Sequence, residues 1–148
     1  MWKRIKLFFA AQELQRRPFV HPTLGTFEFD VDLGWKRNCR LDGHDVDVVI
    51  GSDGETPSTD MANTAADWVS HWDILRESVI DYAEKELSTW KPEWHPTVAN
   101  RLVLSSINIL WPNAPTTIML YFDDPHDDIR SWHATFEGRE PKGFAFDD

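Results

Sequence analysis

At 148 residues the chain has the size of one domain and can bury a single core; with 41% hydrophobic residues, eight tryptophans and nine phenylalanines, composition excludes disorder. A formal net charge of −10 disfavours phosphate backbones and favours encounter with a basic partner, so nucleic acid is not an expected ligand. The single cysteine, Cys39, excludes an intramolecular disulfide and fits a reducing compartment, and no stretch approaches the roughly 20 apolar residues of a bilayer span, so the expected location is cytoplasmic with no stable membrane insertion.

Residues 1–18 read as a separate N-terminal segment ahead of a domain spanning 19–148. Lys3, Arg4, Lys6, Arg16 and Arg17 stand there against one acid, Glu13, so the acidity belongs to the rest of the chain. The apolar run LFFAA is too short for a signal peptide and is followed by Gln12 and Glu13. It predicts a short amphipathic helix with Trp2, Ile5, Phe8, Phe9 and Leu14 on its apolar side, docked on the domain or, as the weaker alternative, pressed on a membrane surface.

TFEFDVD (26–32) alternates Phe27, Phe29 and Val31 with Glu28, Asp30 and Asp32, the pattern of a half-buried strand. In WKRNCRLDGHDVDVVI, Asp42-Gly43 suits a two-residue type I′ turn, which fixes the register of a hairpin. Leu41 then faces His44, Arg40 faces Asp45, Cys39 faces Val46 and Trp35 faces Ile50, with Asn38 opposite Asp47. Arg37 falls on the apolar side opposite Val48, which requires either snorkelling or a bulge. Cys39, packed inside this hairpin, reads as an inert thiol.

After the loop GSDGETPST, a helix is predicted from about Pro57 to Leu87, with Ser58, Thr59 or Asp60 as its cap. Its apolar stripe runs through Ala62, Ala65, Ala66, Val69, Trp72, Val79, Ala83 and Leu87, and its length invites a break near Trp72. Trp90 to Pro96 is a proline-bearing connector, and PTVANRL opens as a short helical turn. Three strands follow, 103–111, 116–122 and 129–137, with Trp111 and Trp132 facing inward, and the tail adds an edge segment through Phe144 and Phe146. These elements predict an α+β fold: a mostly antiparallel sheet of five to seven strands packed against one long central helix, plus the short N-terminal amphipathic helix.

The chemistry-bearing candidates are few. DDPHDD (123–128) sits at a hairpin tip, where polar residues and proline serve turn geometry; read otherwise it is an acidic contact surface or a metal site. Six consecutive residues converge poorly on one ion, so metal is the weakest of the three readings. DVDVVIGSDGE fails as a calcium loop because Val49 and Ile50 stand where a ligand and a glycine are needed. The histidines form no zinc spacing, and no nucleophile elbow, phosphate loop or dinucleotide fingerprint occurs. His71 reads as a helix histidine satisfied by one hydrogen bond. His133 falls on the face of Ser131 and Thr135, with no carboxylate at a telling position. Trp68, Trp90 and Trp94 are the tryptophans least easily buried and hence candidates for a contact surface.

Several segments carry a resemblance. The strand LGTFEFD, the hairpin from Trp35 to Ile50 with Leu41, Gly43, Val46 and Val48, the long helix, and the closing stretch with Tyr121, Asp123, Asp124, Ile129 and Gly138 resemble a group of small bacterial domains of unknown function. The similarity covers residues 23–140 and rests on structural positions. Proteins of this kind are often encoded beside polymorphic toxins and look like immunity proteins, so the resemblance implies a non-enzymatic binding protein without cofactor or metal. Its partner would be a cognate toxin with a basic contact surface. The expected contact residues are Asp53, Glu55, Trp68, Trp94, Asp123, Asp124, His126, Asp127 and Asp128. Two further readings stand beside this one: a metal-dependent or small-molecule enzyme using Asp123, Asp124, His126 and His133, and an adaptor acting through the basic N-terminal segment.

Overall fold

The computed structural model describes residues 3–6, 18–52, 56–94 and 97–147, with the backbone alone at Trp94 and Thr97. Residues 3–6 are helical and exposed; the remainder of the expected N-terminal helix lies outside the described residues. Eight strands, β1 Phe19–His21, β2 Gly25–Asp30, β3 Gly34–Leu41, β4 His44–Ile50, β5 Val103–Ile109, β6 Thr117–Asp124, β7 Asp127–Glu137 and β8 Glu140–Asp147, form one sheet in chain order. All neighbours are antiparallel except β4 and β5, which are parallel. The fold is α+β, and the sheet is mixed and larger than the five to seven strands expected. The helices between β4 and β5 supply the long crossover that a parallel pair needs.

Along β3 and β4 the register follows turn chemistry, from Leu41↔His44 through Trp35↔Ile50 without interruption. Asp42 and Gly43 take φ of 50° and 75°, the two positive values a type I′ turn requires. Arg37 stands opposite Val48 with no bulge. It snorkels to the sheet margin, where Nη1 donates to the Thr26 carbonyl at 3.3 Å.

The one long helix is two: α1 Thr59–Ser70 and α2 Trp72–Trp90. Ser58 is the cap, its side chain accepting from the Met61 N–H at 3.2 Å. At the break His71 leaves helical geometry (φ −111°, ψ 11°). The Ser70 hydroxyl bonds back to the Ala66 carbonyl at 2.8 Å, a local side-chain bond that competes with continuation of the helix. A 3-10 turn, Pro92–Trp94, and a short α3, Thr97–Arg101, complete the crossover.

Val48, Ile50, Ile107, Leu120, Phe122 and Trp132 are fully buried on one sheet face and meet Met61, Ala65, Trp68, Trp72, Val79, Ala83 and Leu87 from α1 and α2. Each large apolar side chain buried here contributes roughly 1.5–3 kcal/mol. Trp68, expected at a contact surface, is 2% exposed. Phe136 meets its ring edge-on at 5.1 Å and Arg139 lies 4.9 Å over it. Trp111, expected inside, is 43% exposed, because β5 ends at Ile109 and its alternation does not reach residue 111. Gly51 makes the close strand approach at that end possible: a Cβ there would meet the Leu110 carbonyl at 2.2 Å. His21, on β1, is a structural histidine. Its Nδ1 accepts from the Thr23 and Leu24 N–H groups, leaving Nε2 to donate to Asn63 Oδ1 of α1 at 3.1 Å.

Candidate functional site at the acidic end of the sheet

Strand directions bring separate segments to one end of the molecule. β3 finishes there at Leu41 and β4 starts there at His44; the parallel pairing of β4 with β5 puts Val103 and Leu104 at that same end. Val103 pairs with Asp123, so the β6–β7 turn is there too, and Ser131 pairs with Asp147, which adds the finish of β8. Asp42, Asp45, Asp123, Asp124, Asp127, Asp128 and Asp147 are therefore assembled from two hairpin turns and the end of β8.

The DDPHDD segment is mostly strand. β6 runs through Asp124 and β7 starts at Asp127, so the turn is Pro125-His126 alone. Its carboxylates divide by what they touch. Asp124 is 5% exposed and lies inward, where Arg101 at the end of α3 grips it bidentately, Nε to Oδ1 at 3.0 Å and Nη2 to Oδ2 at 2.6 Å. The same Oδ1 accepts the His126 backbone N–H at 2.9 Å. Burial alone would raise the Asp124 pKa, but the Arg101 bonds and charge together with the His126 N–H outweigh it and hold the carboxyl below its usual range. Asp127 is also held low, first by the Ile129 N–H and then, against a smaller upward push from burial, by Arg130.

Asp123 and Asp128 are exposed and have no ionic partner among the described residues. Between Phe122↔Trp132 and Asp124↔Asp127 the ladder is irregular, with Asp123 standing against the stretch 128–131. Such a bulge throws side chains out of the sheet, and Ile129 is left 73% exposed beside Asp128.

Of the residues expected at a contact surface, the structure places Asp123, His126 and Asp128 together and exposed, with Asp127 beside them half-buried. It removes Asp124, which is committed to Arg101, and Trp68, which is core. Asp53 and Glu55 lie outside the described residues, as does the Trp94 side chain. Trp90 is 39% exposed and stacks on Phe144 at 5.8 Å. His133 sits on the sheet's other face against Tyr121, ring centroids 5.6 Å apart. The carboxylate that sequence did not supply is Asp147, whose Oδ2 is 3.5 Å from Nδ1. Asp124 lies on the inward side, so it and His133 do not converge, and among the described residues no three His, Cys, Asp or Glu side chains are grouped to hold a metal ion.

Sequence reasoning missed the rest of this end. A cleft of about 370 Å³ opens between the β3–β4 turn and the start of α2, lined by Leu41, Asp42, His44, Trp72, Asp73, Arg76, Ile80, Leu102, Val103, Leu104 and Phe122. Asp73 lies in the first turn of α2, where the helix dipole favours its charge, and has no ionic partner among the described residues. Arg76 reaches Asp42 across the cleft only loosely, Nε to Oδ2 at 3.6 Å. Ile74, next to Asp73, is 71% exposed. Only the positive φ of the Asp42-Gly43 turn was signalled locally; nothing in the spacing of Arg76 or Arg101 announces their partners, and nothing places Asp73 at the cleft. Among the described residues no helix is long and apolar enough to cross a membrane. No family model, curated protein or solved structure matches the chain.

Proposed function

We propose that the chain is a non-enzymatic protein-binding protein that neutralises a cognate bacterial toxin in the cytoplasm, as an immunity protein does, by laying its acidic end over a basic active-site or substrate surface. The observation that carries this reading is the pairing of free carboxylates with exposed aliphatic side chains: Asp73 beside Ile74, and Asp128 beside Ile129, with Asp123 next to them. Unpaired charge steers encounter and sets register, while a desolvated apolar anchor supplies affinity. An end whose acids were all engaged by arginines would do neither. Asp124 and Asp127, engaged by Arg101 and Arg130, hold the tip in shape.

Co-expression with the protein encoded beside it tests the reading. A stoichiometric complex, rescue of growth from that protein's toxicity, and loss of both in Asp123→Lys/Asp128→Lys are the expected results. A neighbour that is not toxic and does not co-purify overturns it.

A further inference from the structure

We propose that the cleft between the β3–β4 turn and α2 receives one arginine side chain of the partner. This rests on the protein-binding reading of the acidic end and specifies what the partner inserts there. The two walls each bring a carboxylate, Asp42 from the turn and Asp73 from the helix. The floor is apolar, with Trp72, Leu104 and Phe122 beneath the rim. A volume of about 370 Å³ holds one long side chain with a few waters, at the small end of the range for ligand pockets.

Charge decides against an anion, because two carboxylates, Asp42 and Asp73, line the cleft against one full cation, Arg76. It decides against a second copy as well, since two chains of net charge −10 would bring like charges together at this end. Among cations, guanidinium fits better than ammonium. It is planar, weakly hydrated and able to lie on apolar surface while its N–H groups bridge two carboxylates. Arg76 does not block the site: its contact with Asp42 is long, both side chains are about half exposed, and such pairs exchange with solvent at little cost. Asp73 is the one rim carboxylate with no ionic partner among the described residues, so the incoming guanidinium meets it directly.

The test uses the full chain and a small probe, N-acetyl-arginine amide, titrated while backbone amides and tryptophan indoles are followed by NMR. N-acetyl-norleucine amide is the uncharged control. The expected result is saturable movement of the Asp42, His44, Asp73 and Arg76 amides and the Trp72 indole, absent with norleucine and weakened about fivefold in Asp73→Asn. Asp73 is exposed in the first turn of α2, so this variant keeps the fold, which the unmoved remainder of the spectrum verifies. Movement confined to residues 123–129, equal binding of norleucine, unchanged affinity in Asp73→Asn, or no saturable movement each overturns the cleft proposal. None of these touches the co-expression result, and failure of the neighbour to form a complex leaves the probe measurement standing.

Discussion

The two turns at the acidic end are of equal length and opposite character. Asp42-Gly43 has two positive φ values, so its twist matches that of β3 and β4, and seven consecutive residue pairs follow without interruption. Its carboxylates are only loosely engaged: Asp45 with Arg40 at 3.2 Å and Asp42 with Arg76 at 3.6 Å, all on exposed side chains. Pro125-His126 has no positive φ, since Asp42 is the one described non-glycine residue with it. A turn of that kind splays its strands, and here the ladder is irregular next to it. The tip is held instead by Asp124, through the His126 N–H and the bidentate Arg101. A hairpin whose backbone satisfies itself leaves its acids available; one whose backbone does not takes them up. That is why only part of DDPHDD can face a partner.

Four measurements test whether the two turns differ in this way. Asp124→Ala, which strands Arg101 and uncaps the second turn, is expected to lower unfolding free energy by about 3 kcal/mol in urea titration. An unchanged midpoint would mean that the bidentate pair does not hold the tip. Gly43→Val forces a β-branched residue into positive φ and should cost about 1–2 kcal/mol by the same method, confined to the first hairpin in hydrogen exchange. Acid should separate the turns further. Because the Asp124 and Asp127 carboxyls sit below their usual range, the unfolded chain takes up protons first as pH falls past about 4. Their contribution is thus complete at neutral pH and is lost as pH drops through the lowered folded values. Melting temperatures from pH 7 down to 2.5 should show a steep acid limb that is shallower in Asp124→Asn. The smallest stability effect belongs to Asp123→Asn and Asp128→Asn, within about 0.5 kcal/mol of wild type, although both should weaken a complex measured by calorimetry.

The first hairpin was legible because its information is local. Asp-Gly names a turn type, the turn type fixes register, and register sends Trp35, Val46, Val48 and Ile50 to one side. The strand at 116–122 was readable for the same reason, and the helix cap was narrowed to Ser58, Thr59 or Asp60, from which the structure selects Ser58. Helical periodicity marked the stretch of α1 and α2 as one helix with a break invited near Trp72, and misjudged the stripe at Trp68. The buried set runs through Met61, Ala65, Trp68 and Trp72, selected by where Phe136 and Arg139 stand. Strand length misled at Trp111 in the same way: alternation is informative only while the ladder lasts.

The elements, the faces of most strands and one turn follow from the chain's local chemistry, because φ preference and side-chain period act within a few residues. Tertiary structure decided the parallel pairing of β4 with β5, and through it which junctions share an end. It also decided which acids are held: Arg101 is 23 positions from Asp124, and Arg76 is 34 from Asp42. A carboxylate is free or engaged according to what lies within about 3 Å of it. For residues so far apart along the chain, only the packing of the crossover helices against the sheet sets that distance.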